Sequence, residues 1–162
     1  MLSSRSGGRG FTIFELAISL IIVSIVATVI SINWPRFTIN LNAQAESLVS
    51  DIRYTQNLAM TKGERYRLVK TSPNSYQIIN SADVAVIMPS GSSMVTLGNK
   101  ISFGNFASLP QNLIAFDGKG IPYVDTTIPS TPLKEIATIA LMADGNTVIV
   151  TIYPETGSVT TS

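Results

Sequence analysis

The chain of 162 residues contains neither cysteine nor histidine. The first absence excludes a disulfide scaffold. Together they exclude Cys/His zinc sites, Ser-His-Asp and Cys-His nucleophiles, and histidine acid–base chemistry. Charge is scarce as well: Asp, Glu, Lys and Arg make up 13% of the chain, well below the roughly 25% of a soluble domain. Eleven basic and ten acidic side chains leave a net charge of +1, too little for a chain-wide attraction to nucleic acid. No Walker A sequence is present, and no glycine-rich fingerprint follows a strand and opens a helix. What the chain has in excess is apolar residues, 45% of the total, for a mean hydropathy of +0.32. Much of that excess lies between residues 11 and 32. The balance points to a membrane-attached, non-enzymatic protein.

Residues 1–10, MLSSRSGGRG, are polar and carry Arg5 and Arg9 without an acid. From Phe11 to Ile32 the only charge is Glu15. At about 1.5 Å per residue, that run can cross a hydrocarbon core of about 30 Å as a helix. Its Ser and Thr hydroxyls can bond back to helix carbonyls. An ordinary signal peptide fits less well, because its apolar core is shorter and Ser31-Ile32-Asn33-Trp34-Pro35 is a poor small-residue cleavage site. The basic leader favours a cytoplasmic N-terminus, with the remainder across the membrane. Trp34 is expected to anchor at the interface. A carboxylate at the centre of such a helix costs about 2.5–3.5 kcal/mol. Glu15 either reaches the headgroups from near the helix end or awaits a cationic partner in an assembly.

Gly10-Phe11-Thr12-Ile13-Phe14-Glu15-Leu16, behind a short basic leader and ahead of the apolar helix, resembles the class III signal of type IV pilins and type II secretion pseudopilins. The resemblance implies cleavage by a prepilin peptidase between Gly10 and Phe11 and N-methylation of the new Phe11 amine. It also implies an assembly salt bridge from Glu15 to the Phe11 amine of a neighbouring subunit. Two charges that are costly alone in lipid become tolerable when paired. Loss of Arg5 and Arg9 would leave the mature chain near neutrality.

Past Pro35, which should kink or loosen a helix, apolar residues return at helical spacing: Phe37, Leu41, Ala45, Leu48, Ile52 and Ala59, with Leu58 alongside. Gly63 after Lys62 marks a C-cap. One long helix is therefore expected from Phe11 to about Lys62, with a transmembrane half and an amphipathic half.

From Glu64 the chain reads as strands and turns. Glu64–Lys70 and Tyr76–Ile79 form a hairpin pattern, and Val84–Met88, Val95–Leu97, Ile101–Phe103 and Leu113–Phe116 are short apolar runs. Ile136–Met142 and Thr147–Tyr153 flank an Asp144-Gly145 hairpin signal, and Ser158–Ser162 reads as a polar tail. The expected fold class is α+β: the long N-terminal helix packed on antiparallel sheet, with a pilin-like layout. The expected parts are a cleaved leader at 1–10, a membrane and assembly helix at 11–34, a stem at 35–63 and a periplasmic β-rich domain at 64–162.

The stem segment LVSDIRYTQNLA (48–59), Phe116-Asp117-Gly118-Lys119-Gly120 and the late Thr156-Gly157-Ser158-Val159 are similar to the GspH/FimT group of minor pseudopilins. That resemblance implies a subunit that helps initiate or cap a periplasmic pseudopilus in a type II secretion system. The alternative it implies is a minor pilin of a type IV pilus, in pilus assembly or DNA uptake. Its partners would be the prepilin peptidase, other major and minor subunits, and inner-membrane lipid. No cofactor and no metal are expected: the Asp117 and Asp144 turns lack the dense acidic loop of a calcium site. Arg53, Arg65, Arg67 and Lys70 could form a basic stripe for DNA phosphates. However, the tail is without a basic residue and Glu64 dilutes the stripe, so a solvated strand face is the expectation and nucleic acid is not an expected partner.

Overall fold

The computed structural model describes residues 12–32, 36–98, 100–125 and 130–162. The chain divides into two units, residues 1–35 and 36–162.

The first unit contains helix α1, Ile13–Ile32. Thr12 caps it: its Oγ1 accepts the Glu15 N–H at 3.3 Å, and its carbonyl accepts the N–H groups of Glu15 and Leu16. Thr12-x-x-Glu15 is thus the sequence of a capping box. The Ser19 hydroxyl donates to the Glu15 carbonyl and Ser24 to that of Leu20, each at 2.8 Å. The described side chains of α1, Ile13 to Ala27, are all exposed. Among the described residues no helix is long and apolar enough to cross a membrane; the described side chains of α1 stop at Ala27. The Gly10–Phe11 junction, Trp34 and Pro35 lie outside the described residues.

The second unit begins with helix α2, Arg36–Lys62. Leu41, Ala45, Leu48, Ile52 and Ala59 are buried as the helical spacing requires, with Val49 and Thr55 beside them. Thr55 is tolerated in that stripe because its hydroxyl donates to the Asp51 carbonyl at 2.7 Å. The helix stops at Gly63, whose φ of 67° is left-handed and whose N–H returns to the Ala59 carbonyl at 2.9 Å.

Two antiparallel sheets cover the stripe. Sheet A has the order β3-β2-β1-β5-β6, built from β1 (Tyr66–Ser72), β2 (Ser75–Ile79), β3 (Met94–Thr96), β5 (Leu113–Phe116) and β6 (Pro122–Tyr123). Sheet B has the order β4-β7-β8-β9, from β4 (Ser102–Ala107), β7 (Ala137–Ala143), β8 (Asn146–Ile152) and β9 (Val159–Thr161). Helix α2 contacts β1 and β5 of the first sheet and β7, β8 and β9 of the second. One core therefore runs from α2 through Leu68, Ile78 and Ile114 on one side to Ile139, Leu141, Val150 and Ile152 on the other. The sheets are joined where the β1–β2 turn meets the start of β4: the Phe103 N–H donates to the Pro73 carbonyl at 2.7 Å. There Tyr76 of β2 meets Phe103 edge-on, with ring centroids 5.9 Å apart.

The β7–β8 hairpin turns on Asp144 and Gly145, with φ of 46° and 81°, the positive pair of a type I′ turn. Two expectations fail. Val84–Met88 forms no strand, only a bridge between Ala85 and Ile79. The Asn80 side chain accepts the N–H groups of Ala82 and Val84, which winds the chain into a turn before it can pair. The reverse happens in the tail: Val159–Thr161 pairs with Val150–Ile152 as β9, because Val159 has a core position to fill.

Candidate assembly helix and basic-residue positions

Glu15 lies in the first turn of α1 and is exposed. At that position a carboxylate faces unpaired backbone N–H groups and the positive end of the helix dipole. It is the only charge in α1. An exposed acid at the start of a predominantly apolar helix is open to a cation from another chain.

The four basic residues do not form one stripe. Arg53 donates to the Val159 carbonyl at 2.6 Å and so covers part of the edge of β9, where an open carbonyl would invite another strand. Arg65 donates to Ser130 Oγ at 2.7 Å and lies 4.4 Å over the Tyr123 ring. Arg67 shares its strand face with Arg65 but is buried, and it is ion-paired with Asp83. Lys70 has the parity of Leu68 and lies over Phe103 and Phe106, at 5.8 and 5.1 Å from the ring centroids. The expected solvated strand face is thus corrected at Arg67, whose ion pair ties the β2–β3 loop to β1. Glu64 also works within the chain. Its carboxylate accepts Ser81 Oγ and Tyr66 Oη, and these two bonds hold it below the usual carboxylate range.

Three features escaped sequence reasoning. Gln56 Nε2 donates to the carbonyls of Gly120 and Thr156, both at 2.8 Å, so one side chain ties α2 to the β5–β6 turn and to the turn after β8. Gly157, with φ of 65°, permits this approach: a Cβ there would stand 2.7 Å from both Gln56 Nε2 and Phe116 Cε1. Tyr76 Oη, in the core, donates to Asp51 Oδ2 at 2.7 Å. Burial pushes the Asp51 carboxyl up, opposed by that bond, and burial first and Asp51 second push up the Tyr76 hydroxyl. A lone Gln or Asp on a helix gives no sequence signal, whereas the Thr12 cap has one in its capping-box spacing to Glu15.

The described residues include no group of three or more Asp or Glu placed to hold a metal. Asp117 instead builds its own turn, its Oδ1 accepting the N–H groups of Lys119 and Ile121 at 2.9 Å.

No protein-family model matches the sequence, and no curated protein matches it either. Solved structures do match. The type IV minor pilin FimU of Pseudomonas aeruginosa superposes with a TM-score of 0.53 at 15% identity, over 75% of this chain and 87% of that one. A second crystal form of FimU gives 0.51 at 16%, over 75% and 92%. The minor pseudopilin EpsH from the type 2 secretion system of Vibrio cholerae gives 0.50 at 11%, over 76% and 96%. At such identities the likeness is one of fold: a helix whose apolar stripe is shared by two antiparallel sheets. The chain has the pilin-like fold found in minor pilins and minor pseudopilins.

Proposed function

We propose that this chain is a structural subunit, not an enzyme, of a pilin-like filament: a minor pseudopilin of a type II secretion system that helps initiate or cap a periplasmic pseudopilus. The observation that carries the reading is the presence, beside this fold, of α1, a predominantly apolar helix whose described side chains are exposed and whose lone charge is Glu15 at its start. A prepilin peptidase cleaves between Gly10 and Phe11, and the Phe11 amine is methylated. The helix holds the subunit in the inner membrane, N-terminus cytoplasmic and β-rich domain periplasmic, until assembly. There α1 packs on the helices of other subunits, and Glu15 neutralises a neighbour's Phe11 amine. Leaving either charge alone in lipid is the costlier state, so pairing drives association.

Mass spectrometry of the protein from cells with an active prepilin peptidase tests the processing step. A mature chain starting at Phe11 with one added methyl is expected; a chain retaining residues 1–10 overturns the reading. The likeness to FimU favours a second reading, a minor pilin of a type IV pilus. Deleting the gene separates the two: loss of protein export with intact pili supports the first, and loss of pili with intact export the second.

A further inference from the structure

We propose that Met60 is an oxidation site: a peroxide converts its thioether to the sulfoxide, and the sulfoxide releases the tie that holds α2 to the turns after β5 and β8. The step does not depend on how the subunit assembles. Met60 stands in the last turn of α2 and is 51% exposed, so a small oxidant reaches it. Its sulfur nevertheless closes a packed contact. Gly120, in the β5–β6 turn, is buried, and a Cβ there would come 2.9 Å from Met60 Sδ and 3.3 Å from Gln56 Nε2. One helical turn before Met60, Gln56 donates to the Gly120 and Thr156 carbonyls. The thioether therefore lies beside the bond that joins the helix to the turn.

With hydrogen peroxide the step balances as follows. A sulfur lone pair takes one peroxide oxygen and the O–O bond breaks; sulfur is oxidised by two electrons and the peroxide leaves as water. The product carries a polar acceptor oxygen where the thioether was soft and apolar. Donors around it are already taken. The Gln56 amide has two N–H bonds, and both are committed. The N–H groups of Gly120 and Gly157 donate to the Asp117 and Tyr153 carbonyls. A sulfoxide oxygen can stay only by drawing Gln56 away from a carbonyl; otherwise the side chain swings into solvent and uncovers Gly120. Either outcome opens the tie to water. The other described methionines are placed differently. Met88 is buried, and Met94 and Met142 are 47% and 46% exposed. Met94 Sδ accepts the Thr71 hydroxyl, a donor that its sulfoxide would keep. Met142 packs on Gly104 of the neighbouring strand, a contact within one sheet.

The test treats the full chain in detergent micelles with hydrogen peroxide and follows it by mass spectrometry and amide hydrogen exchange. One added oxygen on the peptide that holds Met60 is expected. Exchange in the turns at residues 117–121 and 154–158 should become at least about tenfold faster, and methionine sulfoxide reductases should reverse it. Met60→Leu keeps the volume of the side chain and should exchange at the same slow rate before and after peroxide. A Met94→Leu/Met142→Leu double variant should respond as wild type does, and it carries the test if Met60→Leu does not fold. No oxygen on Met60, or an oxidised Met60 with unchanged exchange in both turns, overturns the proposal. So does an equal response of Met60→Leu, or a uniform rise across both sheets, which would mark global unfolding instead of a released tie.

Discussion

Asp51 and Glu64 are two carboxylates pushed in opposite directions by their surroundings. Asp51 is half-buried and its carboxyl is raised, so the folded chain binds its proton more tightly than the unfolded chain does. Its contribution is present below the ordinary carboxyl range and lost as pH rises through the raised value. Asp51→Asn keeps an acceptor for Tyr76 and removes the buried charge. Thermal melts should show the variant at least as stable as wild type at pH 7, the difference closing toward pH 3. Glu64, held low by Ser81 and Tyr66, has the opposite sign: its contribution is present above the ordinary range and lost on acidification. A Glu64→Gln variant should therefore lose stability at neutral pH and converge on wild type in acid. At Gly157 the limit is steric. An alanine would need the left-handed φ of 65° and displacement of Gln56 or the Phe116 ring. Gly157→Ala should cost about 1–3 kcal/mol in denaturant unfolding.

At the scale of elements, helical spacing located the core face of α2. Leu41, Ala45, Leu48, Ile52 and Ala59 stood out by periodicity, and each is buried. Phe37 lies where no side chain is described. Leu48→Ala should lower stability by about 2–5 kcal/mol, read from the shift in denaturant midpoint at unchanged slope. Strands were legible where a turn residue fixed the reversal, as at Asp144-Gly145. They were illegible where hydrophobicity misled: Val84–Met88 is more apolar than Val159–Thr161, yet only the latter is a strand. A side-chain turn at Asn80 diverts the first from pairing, and a vacant edge beside β8 recruits the second. Truncation after Gly157 should therefore remove a buried Val159 and the acceptor of Arg53, and lower the melting temperature by several degrees.

For the whole molecule, the proposed function is tested at the first unit. Replacing Glu15 separates insertion from assembly: Glu15→Ala should leave membrane insertion intact, or improve it, and reduce incorporation into filaments. Fractionation with cross-linking through α1 measures both, and normal incorporation of the variant would count against charge pairing.

The linear order of residues by itself determined the apolar helix, the isolated acid at its start, the amphipathic stem and the α+β class. Each of these is a local or periodic property, readable from spacing alone. Tertiary structure decided the rest. Gln56 bridges two turns distant in sequence, and Arg67 is buried rather than solvated. Arg53 covers the edge of a strand. These depend on which segments meet after the chain has closed on α2, and no spacing along the sequence encodes distances between strands whose partners are chosen by the shape of a shared core.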